Sequence, residues 1–192
     1  GRIEDIKDKV KVVQGDVSLW TDVLGTVKTY EVDEIFHLGA SSMDEPFSHF
    51  NTGIIGFTNV LEAARLFYVK KVIFTSSVWA HVTRTQDPLA EDVYRKPKTP
   101  DGISKVFSEL WGLLYWHRYG IDFRAERLPL ILGPGRSFGP GDPLTFPAAI
   151  IQSAGLNQPC EIEVDEDARV PMLYIKDTAR AVSYTHLTLP TN

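Results

Sequence analysis

The amino-acid sequence predicts a doubly wound α/β protein, in which a parallel sheet carries helices on both faces. Two observations support this fold class. Short apolar runs alternate with segments of helical periodicity, and the connections between them are short. The run at residues 72–77 is apolar in its first half, which indicates a strand covered on both faces there. Ligands of such sheets bind beyond the carboxyl ends of the strands, so residues at those ends are the first site candidates.

The predicted elements follow one another in a regular order. Segments rich in apolar and β-branched residues predict strands at 11–13, 34–38, 72–77, 123–132 and 161–164. Segments with one apolar face at helical spacing predict helices at 18–30, 52–68, 105–119 and 144–154, and a last one from Asp177. Ser18 suits the N-cap position of the first helix.

Composition and charge exclude several classes of function. The 192 residues carry a net charge of −5, which disfavours a broad surface for nucleic acid or for an anionic membrane. No apolar run approaches the roughly 20 residues of a membrane-spanning helix, and no signal peptide is visible. The single cysteine, Cys160, favours a reducing, cytoplasmic setting. No metal site is expected, because His37, His49, His81 and His117 show no metal-ligand spacing.

A lysine and a group of hydroxyls form the most informative candidate site. Lys105 falls in the first turn of a predicted helix, where the helix dipole disfavours a cation, so the lysine needs another reason to be there. The run Thr75-Ser76-Ser77 ends the strand upstream, and a hydroxyl facing a lysine suits proton transfer. Two structural alternatives remain open: Asp101 forms an i,i+4 ion pair with Lys105, or Asp101 is the helix N-cap.

Small and acidic residues end two other predicted strands. Asp16 follows a strand and precedes a helix, where it either accepts a hydrogen bond from an adenine amino group or caps the helix. Gly39 and Ala40 either let a backbone lie close to a ligand or form a tight turn. Spacing alone does not choose between these alternatives.

Seven short motifs, taken in order, give the chain a resemblance to a known family. They are Gly15-Asp16-Val17, His37-Leu38-Gly39-Ala40, Asn59-Val60-Leu61-Glu62-Ala63-Ala64, Thr75-Ser76-Ser77, Gly102-Ile103-Ser104-Lys105, Gly133-Pro134-Gly135 and Tyr174-Ile175-Lys176-Asp177. Over roughly residues 11–181 the chain resembles the NAD-dependent epimerase/dehydratase group of the extended short-chain dehydrogenase/reductases. The ordered set is far more specific than any one of its members.

The resemblance implies a Rossmann-type domain that binds NAD or NADP. The family's glycine-rich loop belongs to a first βαβ unit that this sequence lacks, so we expect a fragment truncated at both ends that binds the cofactor weakly by itself. Residues 1–135 would be part of the dinucleotide-binding domain, and 136–181 the start of a small substrate-binding lobe. Seven of the eleven residues at 133–143 are Gly or Pro. Residues 182–192 resemble the translation of a sequencing adaptor and are expected to be a non-native tail.

The resemblance also implies roles for individual residues. The implied cofactor contacts are Asp16 and Val17 at the adenine, Leu38, Gly39 and Ala40 along the pyrophosphate and ribose, Thr75, Lys105 at the nicotinamide ribose, and the backbone near Pro129. The implied catalytic residues are Ser77, Asp101 and Lys105. The implied substrate contacts are Ser77, which would hydrogen-bond the reacting oxygen, Leu130, and the arginines Arg136 and Arg169, which would clamp an anion or are simply exposed charges.

Three residues depart from the family pattern. Asp101 stands where the family has its catalytic Tyr, and a carboxylate beside a lysine stays ionised near neutral pH, so it donates a proton poorly. Gly53 and Leu130 each stand where many members have Asn. The Asn at the latter position helps to hold nucleotide-sugar phosphates.

These observations lead to three functional hypotheses. The first is an NAD(P)-dependent enzyme that acts on a sugar or nucleotide-sugar hydroxyl by hydride transfer. The second is a dehydrogenase of a small hydroxy or amino acid, which Leu130 favours. The third is a catalytically silent cofactor-binding protein, which Asp101 would explain. A small-molecule substrate is the expected partner, and a homodimer is possible, since Trp111 and Tyr115 suit either a dimer contact or core burial.

Overall fold

The computed structural model describes residues 4–41, 45–81, 96–134, 146–162, 165, 167 and 169–188. The chain forms two compact units. One comprises residues 1–126 with 190–192, and the other comprises residues 127–189. The division into a dinucleotide-binding part and a substrate-binding lobe at residue 135 stays a prediction.

Helices and strands alternate along the described residues. The α-helices are α1 (Trp20–Thr29), α2 (Pro46–His49), α3 (Gly56–Leu66), α4 (Pro100–Tyr119), α5 (Phe146–Gly155) and α6 (Ile175–Thr188). The strands are β1 (Glu34–His37), β2 (Lys71–Ser77), β3 (Asp122–Leu128), β4 (Leu130–Leu132) and β5 (Met172–Tyr174). Short 3-10 helices cover Glu4–Lys9 and Val78–Ala80, and a π-helix, Phe50–Ile55, joins α2 to α3.

Parallel pairing links strands that are distant in sequence. Among the described residues, one sheet has the order β1-β2-β3 and another pairs β4 with β5. In the first sheet β1 and β2 are parallel, with Ile35 opposite Val72 and His37 opposite Phe74. In the second, β4 and β5 are parallel, with Leu130 opposite Met172. A parallel pair needs a crossover connection, and the helical segment from α2 to α3 supplies it between β1 and β2.

Aromatic rings fill the core of the first unit. Phe57 of α3 and Phe123 of β3 are 0% and 1% exposed, and Phe74 of β2 is 2% exposed. The ring of Phe57 lies 4.8 Å from that of Phe74 and 6.0 Å from that of Phe123, between centroids. Burying one such side chain contributes about 2–3 kcal/mol relative to leaving it in water, so this cluster fixes α3 against β2 and β3.

Helix α4 begins and ends where its sequence provides caps. Thr99 is the N-cap, because its Oγ1 accepts a hydrogen bond from the Gly102 N–H at 3.1 Å, and Pro100 occupies the first turn. Gly120 ends the helix with a φ of 73°, in the left-handed region that favours glycine. The helix therefore starts earlier than expected, and Lys105 lies in its second turn rather than its first.

Two predicted strands differ from those observed. Residues 11–13 form no strand: Val12 and Val13 are 72% and 46% exposed, and no strand among the described residues pairs with them. An apolar run without a hydrogen-bonding neighbour does not become a strand. The strand expected at 123–132 is divided into β3 and β4 at Pro129, because proline has no N–H to donate to a ladder.

The predicted helices differ in two places. The helix expected at 52–68 is a π-helix over its first four residues, where Gly53 packs so closely on α4 that a Cβ atom would lie 2.8 Å from Ser104 Cβ. Helix α6 continues past residue 182, where the expected non-native tail begins. The origin of residues 182–192 stays a prediction. The strand expected at 161–164 lies partly outside the described residues.

Gly112 allows α4 to approach β3, and we predict that Gly112→Ala destabilises the protein. A Cβ atom at this position would lie 2.3 Å from the Phe123 ring, so the helix must shift. We expect urea unfolding to show a loss of about 1–3 kcal/mol. The matched control is Gly25→Ala in α1, where nothing lies within 4 Å of the added atom. There the lower entropy of the unfolded chain should raise stability by up to about 1 kcal/mol.

Equal stabilities of the two variants would contradict the close contact between α4 and β3. Far-ultraviolet circular dichroism of the folded variants checks that the helices are retained in both.

Candidate functional site

Lys105 joins α4 to the carboxyl end of β2. Its Nζ donates a hydrogen bond to the Thr75 carbonyl oxygen at 2.8 Å and lies 4.9 Å from the centroid of the Phe74 ring. Burial lowers the pKa of Lys105, and the negative charges of Asp101 and Glu109 oppose this shift. The ammonium keeps two further hydrogens for other acceptors. The structure thus brings together the lysine and the strand end that the sequence singled out.

Asp101 lies on the first turn of α4 and lines the same small cleft as Lys105. Neither structural alternative for this residue holds. The Lys105 ammonium bonds to Thr75 rather than to the carboxylate at i,i+4, and Thr99 is the N-cap. The carboxylate is half-buried and remains within reach of the cleft.

The hydroxyls at the end of β2 have different neighbours. Thr75 Oγ1 donates to the His37 carbonyl oxygen at 3.4 Å, a long contact. Ser77 Oγ accepts a hydrogen bond from the Trp79 N–H at 3.2 Å and so caps the 3-10 helix that follows β2. This contact uses the oxygen of Ser77 as acceptor and leaves its hydroxyl hydrogen available to a substrate oxygen.

A buried carboxylate adjoins this site, and sequence reasoning missed it. Glu109, on α4 one turn after Lys105, is 3% exposed, and its Oε1 accepts a hydrogen bond from Ser76 Oγ at 2.5 Å. Ser76 is 3% exposed. The only available signal was the i,i+4 spacing from Lys105, which places Glu109 on the same helix face.

His37 is a second site residue that sequence reasoning missed. It is the last residue of β1, is 5% exposed, and packs against the rings of Phe57 and Phe74 at centroid distances of 5.2 and 5.9 Å. Among the described residues, none forms a hydrogen bond with its buried Nε2. Burial, and then the charge of Lys105, lower the pKa of His37 to about 4. The imidazole is therefore neutral at physiological pH.

One cleft in the first unit is lined by His37, Asp101 and Lys105, whereas Ser77 and Glu109 are not among its lining residues. Four parts of the chain form it: the end of β1 with the segment after it, the region from α2 to the π-helix, strand β2, and the first half of α4. The lining residues are His37, Gly39, Ala40, Ser41, His49, Gly53, Phe74, Asp101, Ser104, Lys105 and Ser108. The predicted residues Gly39, Ala40, Asp101 and Lys105 thus come together, whereas Thr75 contributes its carbonyl oxygen to Lys105 from the neighbouring strand end.

Asp16 and Val17 belong to the loop before α1. Asp16 Oδ1 accepts hydrogen bonds from Ser18 N–H and Oγ at 2.8 and 2.7 Å, and these bonds lower the pKa of Asp16. Val17 is tied to α3, because its carbonyl oxygen accepts a hydrogen bond from Asn59 Nδ2 at 2.9 Å. The helix itself starts at Trp20, so Ser18 is not its N-cap. Leu38, directly after β1, is 62% exposed.

The remaining candidates belong to the second unit. Pro129 and Leu130 are half-buried around the start of β4, where the Leu130 N–H donates to the Pro171 carbonyl oxygen at 3.2 Å. Arg169 is exposed. Arg136 lies outside the described residues. The roles of these four residues stay predictions.

The described residues contain neither a grouping of metal ligands nor a membrane-spanning helix. In the part of the chain that the structure describes, no three His, Cys, Asp or Glu side chains are grouped as a metal ion would require. Within the same residues, no helix has both the length and the apolar character needed to cross a membrane.

Sequence comparison relates the chain to known proteins. The profile of the NAD dependent epimerase/dehydratase family matches residues 2–189. The mitochondrial L-threonine 3-dehydrogenase of Bos taurus is 33% identical over 128 residues, which are 67% of this chain and 34% of that protein. The UDP-glucuronate 4-epimerase of Thermodesulfobacterium geofontis is 28% identical over 189 residues, which are 93% of this chain and 56% of that protein. The chain spans about a third to just over half of the length of these relatives.

Solved structures share the fold. The L-threonine 3-dehydrogenase of Trypanosoma brucei has a TM-score of 0.87 at 25% identity, over 98% of this chain and 60% of that one. The UDP-glucose 4-epimerase of Thermus thermophilus, solved in complex with NAD, has a TM-score of 0.80 at 21% identity, over 97% of this chain and 63% of that one. These similarities confirm the predicted Rossmann-type α/β fold.

The neutral, buried state of His37 should make stability depend on pH. Its pKa is 6.5 in the unfolded chain and about 4 in the folded one, so between these values only the unfolded chain takes up the proton. The stabilisation is complete above about pH 6.5 and is lost as the pH falls towards 4. Between pH 7 and 4, urea unfolding should show a loss up to about 3 kcal/mol larger for the wild type than for His37→Phe. Parallel pH profiles of the two proteins would contradict this.

Proposed function

Because the chain belongs to the NAD-dependent epimerase/dehydratase family, we propose that its full-length protein binds NAD or NADP and transfers a hydride to or from a hydroxyl-bearing carbon of a small substrate. The observation that carries this proposal is the half-buried lysine at the carboxyl end of β2, with a carboxylate in the same cleft. The cofactor site would be the carboxyl edge of the sheet β1-β2-β3.

The residues present at this edge fit a dinucleotide. Gly39 and Ala40 are small and exposed directly after β1, so their backbone is open to a phosphate or a ribose. Lys105 has two ammonium hydrogens left for ribose hydroxyls after its bond to Thr75. His37 lines the same cleft with a neutral imidazole, so it adds no charge beside the phosphates of a dinucleotide.

The chain's own side chains would manage the substrate's hydroxyl proton. When bound, NAD or NADP supplies the carbon that accepts or returns the hydride. Ser77 would donate its free hydroxyl hydrogen to the reacting oxygen and so orient the substrate. Asp101 would accept the hydroxyl proton as the carbon–hydrogen bond breaks, and Lys105 would stabilise that carboxylate and hold the ribose.

Asp101 should limit the rate of this reaction. A carboxylate holds a proton far more weakly than the phenol that the family has at this position, and its side chain is shorter. General acid–base catalysis is most effective when the proton affinities of donor and acceptor are matched. The proposed enzyme is therefore slow with Asp101, and a silent cofactor-binding protein is the alternative that this residue favours.

Two substrate classes are supported by different observations. A small hydroxy amino acid is favoured by the similarity to two L-threonine 3-dehydrogenases and by Leu130, which stands where many nucleotide-sugar enzymes have Asn. A sugar or nucleotide-sugar hydroxyl is favoured by the UDP-glucuronate 4-epimerase, whose match extends over 93% of this chain. Formation of NADH or NADPH by the full-length protein with L-threonine would support the first class. Formation of NADH or NADPH with a hexuronic acid, or epimerisation of UDP-glucuronate, would support the second.

Asp101→Tyr should raise turnover of the full-length protein. A positioned proton-transfer group contributes about 10²- to 10⁴-fold to the rate, so we expect kcat to rise within that range with the correct substrate. Asp101→Asn is the matched control, because it removes the charge without adding a phenol, and it should abolish turnover. If Asp101→Tyr gains no turnover on any alcohol or nucleotide sugar while cofactor binding persists, the silent binding function replaces the enzymatic one.

Lys105→Met should weaken cofactor binding by the full-length protein. Removal of the ammonium eliminates its remaining donors in the cleft, and hydrogen bonds from charged groups contribute about 1.5–3 kcal/mol, so calorimetry should show a roughly tenfold or larger rise in the Kd for NAD or NADP. Lys70→Met is the control, since the Lys70 side chain is 75% exposed and pairs with Asp33. Equal affinities of the two variants would contradict a role for Lys105 in binding.

A further inference from the structure

A carboxylate is buried between α4 and β2, and the proposed proton transfer does not use it. Glu109 is 3% exposed, and the Ser76 hydroxyl that donates to its Oε1 is also 3% exposed. A buried carboxylate carries a large desolvation cost unless cations and hydrogen-bond donors compensate it. Attachment of α4 to β2 would need no charge, because the amide oxygen of a glutamine accepts the same hydrogen bond. The charge of Glu109 therefore calls for a further explanation.

Glu109 and Lys105 reach consecutive residues of β2 from the same face of α4. The two residues are four apart, a spacing that puts their Cβ atoms about 5–6 Å from each other. The Lys105 Nζ donates to the Thr75 carbonyl oxygen at 2.8 Å, and Glu109 accepts from the next residue, Ser76, at 2.5 Å. Five covalent bonds join that carbonyl oxygen to Ser76 Oγ, so these two atoms lie within about 6 Å of each other. The carboxylate and the ammonium are thus held near each other at one strand end.

Other groups also surround the Lys105 ammonium. Among the described residues, the charged and titratable groups that face it are Asp101 and Glu109 on α4, His37 on β1 and His49 on α2. Strand β2 contributes a carbonyl oxygen and an aromatic ring, which are neutral. Burial lowers the pKa of Lys105, and the charges of Asp101 and then of Glu109 raise it. Two carboxylates therefore oppose the loss of the lysine's proton.

The two carboxylates differ in their access to the cleft. Asp101 is half-buried and lines the cleft, so in the proposed reaction its charge disappears whenever it accepts the hydroxyl proton. Glu109 is not among the lining residues, and it bonds to Ser76. Its charge stays in place while that of Asp101 changes, so it opposes deprotonation of Lys105 at every stage of turnover.

We propose that Glu109 is a positioning residue whose buried charge keeps the Lys105 side chain an ammonium, so that the lysine donates both to Thr75 and to a bound dinucleotide. This inference rests on the proposed cofactor-binding function. It explains why a carboxylate, rather than an amide, attaches α4 to β2 beside the lysine. Glu109 itself touches neither cofactor nor substrate in this assignment.

The titration of Lys105 in the full-length protein tests this proposal directly. In protein labelled with ¹³C-lysine, the Cε signal that disappears in Lys105→Met reports the loss of the ammonium proton as the pH is raised. In Glu109→Gln, which keeps an oxygen acceptor for Ser76, the midpoint should fall by about one pH unit or more, as expected for the loss of a nearby opposite charge. Equal midpoints in the wild type and in Glu109→Gln would overturn the proposal and leave the proposed function intact.

Cofactor binding should follow the same titration. NADH and NADPH are stable in alkali, and their fluorescence gives the Kd from neutral pH to about pH 10. Carboxyl groups and imidazoles ordinarily release their protons at or below neutral pH, so among the described lining residues Lys105 is left to titrate in this range. The affinity should fall about tenfold or more as the ammonium is lost, and in Glu109→Gln this fall should lie about one pH unit lower.

Superimposable pH profiles of the Kd would contradict the role of Glu109 alone. Failure of the wild type to bind NADH or NADPH at any pH would overturn the proposed function, and this inference with it.

Ser76→Ala is the matched control for the attachment of α4 to β2. It removes the hydroxyl and keeps the charge of Glu109, so urea unfolding should show lower stability while the midpoint of Lys105 stays near that of the wild type. A merely structural Glu109 would give a different result, in which Glu109→Gln and Ser76→Ala lose stability alike and neither moves the midpoint.

A double variant tests the pair if Glu109→Gln alone does not stay folded. Lys105→Met leaves the buried carboxylate without the charge of the ammonium, so the further change Glu109→Gln should raise stability in that background. A double variant less stable than Lys105→Met would overturn the proposal.

Discussion

Two hydrogen bonds attach helix α4 to the carboxyl end of strand β2 and hold the candidate site together. Lys105 donates to the Thr75 carbonyl oxygen, and one turn later the buried carboxylate of Glu109 accepts from the Ser76 hydroxyl. The contact between Ser76 and Glu109 is buried and that between Lys105 and Thr75 is partly buried, so loss of either hydrogen bond is expected to cost about 1–3 kcal/mol. The lysine is thereby held in the cleft that His37, Gly39 and Ala40 line at the end of β1.

The apolar core sets the distance across which these bonds form. Gly112 on α4 meets the Phe123 ring so closely that no side chain fits between them, and Phe123 is in turn packed on Phe57. Gly53, on the π-helix, likewise lets this segment contact Ser104 of α4 closely, because a Cβ atom on Gly53 would lie 2.8 Å from Ser104 Cβ. The close contacts at Gly112 and at Ser104 thus bring the polar face of α4 within hydrogen-bonding distance of the strand ends.

The sequence predicted the elements whose patterns arise from burial and missed those decided by partners. Strand β2 was predicted to within one residue because Val72, Ile73 and Phe74 form an apolar run. Val12 and Val13 give a similar signal, but apolar content does not provide a neighbouring strand, and the two residues remain exposed. Lys105 was identified by its position and family motif. His37 was not identified as a site residue, because whether a buried imidazole has a hydrogen-bond partner depends on contacts between distant segments.

The bond between Lys105 and Thr75 joins residues 30 positions apart, so no short segment of the chain contains the site. A ligand held by both segments binds the folded chain and not the unfolded one, so its binding free energy adds to the stability of the fold. At a free concentration 100 times the Kd this gain is about 2.7 kcal/mol. Occupancy of the cleft then governs how often the chain opens to a protease, and the cellular lifetime of the protein is expected to follow the supply of its ligand.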